Sequence, residues 1–448
     1  MRRSSIRLPS VNVAPPSQRS FSPSILPFFG PRTEEADRYF GELSSPATGH
    51  PTMRRAPSSG AAFVALLLFL FGRVRCSPEY SLGRSSSPAT DGLCALLIRP
   101  SGYPCSEHTV ETKDGYLLAI QRIPHGRNTL KGKPGPPVFL QHGLFQGGDT
   151  WFMNSFEESL GFILADSGFD VWVGNVRGTR WSHGHTTLSV YDKAFWDWSW
   201  QELAQYDLLA MISYVYSVTN YKGTIMALAA FTMPDMVEMI ESAALLCPIS
   251  YLDHITSSFV LRAVFMRLDE MLLSMGIHQL NFRSDTGVQI IDSVCDGHVD
   301  CNNLLSSITG ENCCFNMSRM AYYLEFEPHP SSTKNLHHLF QMIRKGTFAK
   351  YDYGFWGNLL RYRSLHPPAF DLADVPDSLP LWMGYGGKDA LADPADVQHT
   401  LEELKSKPEL LYIDNYGHID FILSVKAKDD VYGDLLRFLK SRGCSSSY

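Results

Sequence analysis

Apolar strand-like segments alternate with helical stretches from Cys94 to the end of the chain. The segment PPVFLQHGL (136–144) has the continuous apolar run of a buried strand and ends in His-Gly. SLGFILADSGFDVWVGNVRG (159–178) contains a helical pattern, a Gly stop, a second strand and a Gly turn. Buried strands that alternate with helices are typical of parallel sheets covered on both faces. The pattern therefore predicts an α/β fold with a mostly parallel sheet.

Further segments extend this pattern. A hairpin around Asp114–Gly115 is predicted within TVETKDGYLLAIQRI (109–123). Other strands are predicted in SAALLCPIS (242–250), LPLWMGYGGKDA (379–390) and LLYIDNYGHIDFI (410–422). Helices are predicted at YDLLAMISYVYSV (206–218), TIMALAAF (224–231) and DVYGDLLRFLKS (430–441).

The character of the sequence changes between Tyr251 and Leu372, where helical patterns dominate and four of the nine cysteines occur. Insertions near strand ends usually shape a substrate site, so this stretch predicts a mainly helical cap or lid. Within 261–280, helical spacing places apolar residues on one face, namely Leu261, Val264, Phe265, Leu268, Leu272 and Met275. Such a face suits a lid that contacts lipid, or ordinary packing inside the insertion.

The beginning of the chain has a different composition. Residues 1–52 are rich in Ser, Pro and Arg and lack a hydrophobic period, which predicts a disordered extension. Met53 is followed by two arginines, an apolar run at 61–71 and small residues near Cys76, the order of a secretory signal peptide. Because the run has about 11 residues and a bilayer span needs about 20, no stable transmembrane anchor is expected. A transit peptide within 1–31, which holds Arg and Ser but no acidic residue, is the alternative.

Length and charge limit the organisation and the partners. A chain of 448 residues is long enough for two or three domains or for one large domain with an insertion. Lys and Arg number 39 against 46 Asp and Glu, and no basic run suits a nucleic-acid groove, so nucleic acid is not an expected partner. The predicted organisation is a disordered extension (1–52), a signal peptide (53–77), an α/β core in two parts (78–250 and 373–448) and a cap between them (251–372).

Two polar residues near the end of the chain have the order and setting of catalytic groups. Asp389 directly follows Gly386–Gly387 at the end of a predicted strand, and His418 lies in the turn after the next strand. In α/β-hydrolases the nucleophile, the acid and the His follow in this order at strand ends, and the acid holds the imidazole in one tautomer. Neighbouring candidates for the acid are Asp393, Asp396 and Asp420. The first of these precedes Pro394 and is expected to cap a helix.

Several motifs stand in a fixed order along the chain, namely LIRPSGYPCSEHTVETKDGYLLAIQRIP, FLQHGL, ILADSGFDVWVGNVRG, YDYGFWGNLLRYRS, GGKDALADPADV and YGHIDFI. Together they resemble the acid lipase family, which includes gastric and lysosomal lipases and, in particular, plant triacylglycerol lipases. The resemblance covers roughly residues 90–440, and the ordered set is more specific than any single motif. It implies an α/β-hydrolase fold with an inserted cap.

The resemblance also implies roles for individual residues. Asp389 and His418 take the acid and base roles, and the backbone N–H of Leu144, directly after His142–Gly143, takes one oxyanion-hole role. The implied substrate is a triacylglycerol or a steryl ester at a lipid–water interface, and no metal or cofactor is needed. The implied location is outside the cell or in a lysosome- or vacuole-like compartment.

The chain departs from this family at the nucleophile. The family needs a Gly-x-Ser-x-Gly elbow on a sharp turn between a buried strand and a helix, and no such motif stands at this place in the sequence. The helix predicted at 206–218 is followed by four residues and then Gly223, which resembles the last glycine of the elbow. We interpret this as a deletion of about ten residues near Tyr221–Gly223, which removes the strand and the nucleophilic Ser.

A substitute nucleophile is not expected. Ser217 or Thr219 would need ISYVYSV to occupy the position of the missing strand, and the glycines of the strained turn would still be absent. Thr224 would be the first residue of the helix predicted at 224–231, directly after the proposed deletion. The first functional hypothesis is therefore a lipase whose family uses a Ser-Asp-His triad, inactive in this chain because the nucleophile is missing. The alternatives are a lipid-binding pseudoenzyme, arising from a splice or gene-model variant, and a product that does not fold.

The cysteines predict disulfides rather than a metal site. Cys94 and Cys105 flank PSGYP and suggest a local disulfide, and Cys295, Cys301, Cys313 and Cys314 cluster in the insertion. The loop CDGHVDC could offer Asp296, His298 and Asp300 to a metal, but its spacing favours closure by a disulfide. Asn316, Met317 and Ser318 form an N-glycosylation sequence, which would be used only if the chain is secreted.

Overall fold

The computed structural model describes residues 92–127, 134–219, 223–225, 229–284 and 304–443. The extension predicted at 1–52, the signal peptide predicted at 53–77 and the CDGHVDC loop all lie outside these described residues. None of the described helices combines the length and the apolar character that crossing a bilayer requires.

Within the described ranges, a nine-stranded mixed sheet forms the centre of the fold. Its strands are β1 (Ser106–Glu111), β2 (Tyr116–Ile123), β3 (Pro137–Gln141), β4 (Asp170–Gly174), β5 (Gly184–His185), β6 (Gly223–Ile225), β7 (Ile240–Leu246), β10 (Leu381–Gly386) and β11 (Glu409–Ile413), while β8 (Gln279–Leu280) and β9 (Ser331–Ser332) pair separately. The order is β1-β2-β4-β3-β6-β7-β10-β11, with β5 paired to β2. In this order, the pairs β4–β3, β3–β6, β6–β7, β7–β10 and β10–β11 are parallel. Strand β2, in contrast, pairs antiparallel with β1, β4 and β5. The predicted α/β fold is confirmed.

Helices pack on this sheet and make up most of the secondary structure between β7 and β10. The α-helices are α1 (Leu160–Asp166), α2 (Trp200–Glu202), α3 (Leu209–Thr219), α4 (Pro234–Val237), α5 (Ser258–Phe265), α6 (Leu268–Ser274), α7 (Leu304–Thr309), α8 (Met320–Phe326), α9 (Thr333–Lys345), α10 (Gly354–Tyr362), α11 (Pro394–Glu403), α12 (Asp420–Leu423) and α13 (Gly433–Gly443). Shorter 3₁₀ and π segments lie at Cys94–Ile98, Gly148–Phe152, Lys193–Trp196, Leu203–Leu208, Ala229–Thr232, Met317–Arg319, Leu372–Asp374 and Lys428–Tyr432.

The local sequence explains the first half of the sheet. Gly115, at φ +94°, makes the turn between β1 and β2, a conformation that glycine adopts without steric cost. Gly168, at φ +93°, lies between α1 and β4 in the same way. The apolar residues of β4 are fully buried because helices cover both faces of the sheet at this strand. The helix, Gly stop and strand predicted in 159–178 are therefore present.

The helix predicted at 224–231 is wrong. Gly223–Ile225 forms β6, which pairs in parallel with β3 through Val138 and Thr224 and with β7 on its other side. Ala229–Thr232 is a 3₁₀ turn. Without β6, the facing edges of β3 and β7 would bury unpaired N–H and C=O groups, which costs more than giving up a helix. Gly223–Ile225 therefore supplies the strand between β3 and β7.

The single apolar helix face predicted in 261–280 is also wrong. Arg267 takes a left-handed conformation at φ +51°, which ends α5 and starts α6 in a new direction. Val264 and Leu272 are buried, whereas Phe265 and Met275 are exposed. The residues of the predicted face thus belong to two helices, and only some of their side chains are buried in the protein interior.

The stretch between Tyr251 and Leu372 contacts the loops that follow several strands. The carbonyl oxygen of Thr309 accepts hydrogen bonds from the backbone N–H groups of Ala390 and His418, at 3.4 and 2.9 Å. The N–H of His329 donates to the carbonyl of Phe145 at 2.7 Å. These loops follow β10, β11 and β3, so the mainly helical stretch meets the carboxyl ends of the parallel strands, where sites in α/β folds are formed.

Candidate active site

Asp389 and His418 lie in the loops after β10 and β11, two neighbouring parallel strands. Oδ2 of Asp389 is 2.9 Å from Nδ1 of His418, within hydrogen-bond distance. The two loops are joined closely, since Lys388 donates its N–H to the carbonyl of Tyr416 at 2.9 Å. A Cβ on Gly386 would lie 2.2 Å from that same carbonyl oxygen, so only glycine permits this approach. The paired loops hold the carboxylate against the imidazole.

The carboxylate of Asp389 is fixed by its own loop. Its Oδ1 accepts hydrogen bonds from the N–H groups of Leu391 and Ala392, both at 2.8 Å. This leaves Oδ2 for the imidazole. Burial raises the pKa of Asp389, but the charge and hydrogen bond of His418 and the two backbone donors outweigh burial, so the net pKa is lowered. The group is therefore a carboxylate at neutral pH.

The imidazole of His418 is correspondingly easier to protonate than a free histidine. Burial lowers its pKa, but the charge of Asp389 and the hydrogen bond to it have the larger combined effect, and the net pKa is raised. An ionised acid on Nδ1 also fixes the proton on that nitrogen and leaves Nε2 as the acceptor. This is the tautomer that a general base needs.

The other three aspartates have different partners. Asp393 caps α11 and accepts from the N–H of Ala395 at 2.9 Å, as its position before Pro394 predicted. Asp396 accepts from the ring and backbone of His254, at 2.8 and 2.9 Å. Asp420 accepts from the N–H groups of Gly417 and Cys313, at 2.8 and 3.0 Å. Each of these carboxylates is engaged away from the ring of His418.

Cys247 is a neighbour of this pair that the sequence did not indicate. It follows β7, is buried, and its Sγ donates to the carbonyl of His418 at 3.2 Å. Burial and the charge of Asp389 raise the pKa of this thiol well above its usual value. A neutral thiol is a poor nucleophile and a poor metal ligand, so Cys247 supports the loop rather than reacting.

The loop after β3 has a fixed shape. Nε2 of His142 accepts from the N–H of Val176 at 3.2 Å, and Nδ1 donates to the carbonyl of Gly143 at 2.9 Å. Burial lowers the pKa of His142 to about 4, so the ring stays neutral in this bonding pattern. Leu144 follows directly, with an exposed side chain. The backbone proposed to donate to an oxyanion is thus anchored by the residue two positions before it.

A second cluster of polar side chains, formed by Asp149, Glu327 and His329, contacts the later residues of that loop. Nε2 of His329 lies 2.9 Å from Oδ1 of Asp149, which also accepts from the indole N–H of Trp181. Oε1 of Glu327 accepts from the N–H of Gly147 at 3.2 Å. No motif in the sequence indicates this cluster, because Asp149 and His329 are 180 residues apart.

The ligand types in this cluster could in principle hold a cation. However, the backbone N–H of Arg180 donates to Nδ1 of His329 at 3.1 Å, which makes Nδ1 the acceptor nitrogen. Nε2 then carries the proton and donates it to Asp149. In this tautomer His329 offers no lone pair at the cluster, so the residues fit a hydrogen-bond network better than a metal site.

Ser217 and Thr219 remain in α3. Their hydroxyls donate to the carbonyls of Tyr214 and Val215, both at 2.8 Å, as helix residues do. Over the part of the chain that is described, no Ser, Thr or Cys side chain is hydrogen-bonded to Nε2 of His418. The backbone of Thr224 lies within β6, not at the start of a helix. Tyr221 and Lys222 lie outside the described residues.

Four of the five described cysteines form two disulfides, and Cys247 is free. The predicted bond between Cys94 and Cys105 is present, and Cys313 is bonded to Cys314. Asn316 follows shortly after this second bond and caps a 3₁₀ turn, its Oδ1 accepting from the N–H of Ser318 at 3.2 Å. Glycosylation of Asn316 stays a prediction.

Known proteins resemble the chain over most of its described length. Residues 94–155 match the model of the partial alpha/beta-hydrolase lipase region. Triacylglycerol lipase 1 of Arabidopsis thaliana is 60% identical over 366 residues, which are 80% of this chain and 93% of the relative. Gastric triacylglycerol lipase of Bos taurus is 33% identical, over 85% and 96% of the two chains. Lysosomal acid lipase/cholesteryl ester hydrolase of Macaca fascicularis is 34% identical, over 79% and 92%.

Proposed function

Because the chain belongs to the acid lipase family of α/β-hydrolases, a family of lipid-ester hydrolases, we propose that His418 and Asp389 are the base and acid of an ester-hydrolysis site. His418 would take the proton of a nucleophile and return it to the leaving alcohol, while Asp389 orients the imidazole. The N–H of Leu144 would stabilise the oxyanion. The 2.9 Å hydrogen bond between the two side chains carries this proposal.

The substrate we propose is a triacylglycerol or a steryl ester at a lipid–water interface. The relatives are named as triacylglycerol lipases and as a cholesteryl ester hydrolase, which supports both classes.

The proposed location is outside the cell or in a lysosome- or vacuole-like compartment. The disulfides Cys94–Cys105 and Cys313–Cys314 support an oxidising compartment. The proposed cap is 251–372, between core segments 78–250 and 373–448.

The chain as written would hydrolyse esters poorly, because its nucleophile is missing. In this fold the nucleophile follows the strand between β3 and β7. That strand is β6, and the residues after it in the sequence are Met-Ala-Leu. None of these side chains can attack a carbonyl. The second candidate function, a lipid-binding pseudoenzyme, is favoured by the same observation.

The test is a comparison with a repaired chain. The repaired chain carries, between Lys222 and Gly223, an inserted strand followed by Gly-x-Ser-x, so that Gly223 completes the Gly-x-Ser-x-Gly elbow. We expect it to release fatty acid from emulsified trioleoylglycerol or cholesteryl oleate, and His418→Ala to reduce this rate at least about 10³-fold. The chain as written should show no release that depends on His418.

Two results would contradict the proposal. A folded repaired chain that hydrolyses neither ester would exclude the acid and base roles of Asp389 and His418. Hydrolysis by the chain as written, abolished by His418→Ala, would show that a nucleophile is present after all. The inserted Ser→Ala variant of the repaired chain is the matched control.

A further inference from the structure

Helix α10 has its polar side turned inwards. Asn358 is buried, and its Nδ2 donates to Oδ1 of Asp352 at 2.7 Å and to the carbonyl of Leu365 at 3.2 Å. The hydroxyl of Tyr362 donates to the carbonyl of Tyr351 at 3.0 Å. These bonds join the inner side of the helix to the segments directly before and after it, so polar groups rather than an apolar face hold its orientation.

The outer side of α10 is apolar. Phe355, Trp356, Leu359 and Leu360 form one continuous stripe at positions i, i+1, i+4 and i+5. Their exposed fractions are 53%, 71%, 39% and 84%. A surface helix of a water-soluble protein normally buries such a stripe and exposes its polar residues. In α10 this arrangement is inverted, and contiguous exposed apolar surface of this kind marks an interaction site.

The exposed charges beside the stripe are basic. Arg361 and Arg363 lie on and directly after α10, while the acidic neighbour Asp352 is mostly buried and paired with Lys345. The guanidinium of Arg361 lies 4.1 Å from the ring centroid of Tyr353, beside the apolar stripe. Trp, Phe and Leu on one face with Arg and Tyr at its border is the composition of helices that lie in the head-group region of a lipid layer. The basic border complements anionic head groups.

A second copy of the chain is a poorer occupant. Four side chains of these types with these exposed fractions offer less than about 600 Å², whereas a stable protein interface buries about 800 Å² per partner. A lipid layer has no such minimum, because a few inserted aromatic and aliphatic side chains contribute in proportion to the area they bury.

We propose that α10 is a docking surface for a lipid layer with anionic head groups, in which Trp356 and Leu360 insert among the acyl chains. This inference rests on the proposed function, since it identifies how a lipid-ester hydrolase would meet its insoluble substrate. The helix is already formed and anchored by Asn358, so insertion requires no folding. The surface is separate from the residues that position Asp389 and His418.

The test uses the natural fluorescence of Trp356 in the full chain as written. All eight tryptophans lie in the described part of the chain, and Trp356 is the exposed one among them. Vesicles of phosphatidylserine and phosphatidylcholine brominated on its acyl chains quench tryptophans that reach the acyl region. We expect quenching that is lost in Trp356→Leu, which keeps the stripe apolar. Because residues 1–91 contain no Trp, insertion of the apolar run at 61–71 would not produce this signal.

The matched control moves the tryptophan elsewhere. Tyr191 is 94% exposed and lies outside α10, so Trp356→Leu combined with Tyr191→Trp should show no quenching. In Phe355→Ser/Leu360→Ser, which retains Trp356, half-maximal quenching should need at least about tenfold more vesicles. Vesicles without phosphatidylserine should also bind more weakly.

Three outcomes would overturn the proposal. The first is quenching that persists in Trp356→Leu, and the second is equal quenching of Trp at 191. The third is an unquenched Trp356 in a dimer that Trp356→Ser dissociates, which would assign the stripe to a second copy. None of these measurements involves ester hydrolysis. Failure here together with an active repaired chain would therefore exclude the docking surface alone, and the reverse result would exclude the proposed function alone.

Discussion

Oδ2 of Asp389 lies 2.9 Å from Nδ1 of His418, and both side chains come from loops after β10 and β11. Both strands follow β6 in the chain. β10 pairs with β7, one strand away from β6. The contact between Asp389 and His418 therefore depends on the part of the sheet that follows β6.

We predict that Asp389→Asn lowers the pKa of His418. The charge and hydrogen bond of Asp389 raise this pKa against the opposing effect of burial, so their removal leaves burial as the dominant influence. An NMR titration of the imidazole measures the shift. Asp393→Asn is the control, because Asp393 caps α11 and should leave the His418 titration unchanged. An unchanged pKa in Asp389→Asn would contradict the assignment.

Glu327→Gln should make the chain relatively more stable at high pH. Burial and the charge of Asp149 raise the pKa of Glu327 well above 4.5, so the folded state keeps a proton that the unfolded state releases. Stability then falls as pH rises from about 4.5 through the folded pKa. Thermal unfolding at pH 5 and pH 8 measures this, and the Tm difference between variant and wild type should grow in favour of the variant at pH 8. A difference independent of pH would show that Glu327 is ionised in the fold.

Arg177→Gln should destabilise the chain by about 3–5 kcal/mol. Arg177 is buried and donates from Nε to Oδ1 of Asp207 at 2.7 Å, and it also binds Asp114. Its removal leaves Asp207 as a buried charge without its cation. The exposed pair Arg442–Glu409 is the control, since Arg442→Gln should cost about 0–1 kcal/mol. Urea unfolding compares the two, and equal effects would argue against a buried ion pair.

Loss of the disulfide between Cys94 and Cys105 should cost about 3 kcal/mol, because the bond closes a short loop and restricts the unfolded chain. The variant Cys94→Ser/Cys105→Ser measures this by thermal unfolding. Cys247→Ser is a useful comparison, since Cys247 is a free thiol and its replacement leaves both disulfides in place. A double variant as stable as wild type would show that the bond does not form in the protein.

The α/β fold and the contact between Asp389 and His418 could be predicted from local sequence, whereas β6 could not. Alternating strands and helices specify a parallel sheet, and Gly386 before Asp389 marks the turn where a carboxylate meets the next loop. The short apolar segment at 224–231 suits a helix or a strand equally well by periodicity. The open position between β3 and β7 decides the outcome, and that position exists only in the folded sheet.

Contacts between distant segments account for the other differences. The hydrogen bond from Cys247 to His418 spans 171 residues, and its partners share no motif. The left-handed residue Arg267 breaks the predicted apolar face, because one backbone conformation overrides a helical spacing that is otherwise regular. Helix α10 was part of a family motif in the sequence, but only the structure showed that its apolar side faces outwards.

We propose that this chain retains the acid and base of an ester hydrolase, Asp389 and His418, and lacks the nucleophile. The most direct measurement is reaction with an alkyl phosphonate, which bonds covalently to an activated serine, followed by mass spectrometry of the intact chain and its peptides. We predict no adduct on the chain as written and a single adduct on the inserted Ser of the repaired chain, abolished by His418→Ala. An adduct on any Ser, Thr or Cys of the chain as written, lost in His418→Ala, would contradict the claim.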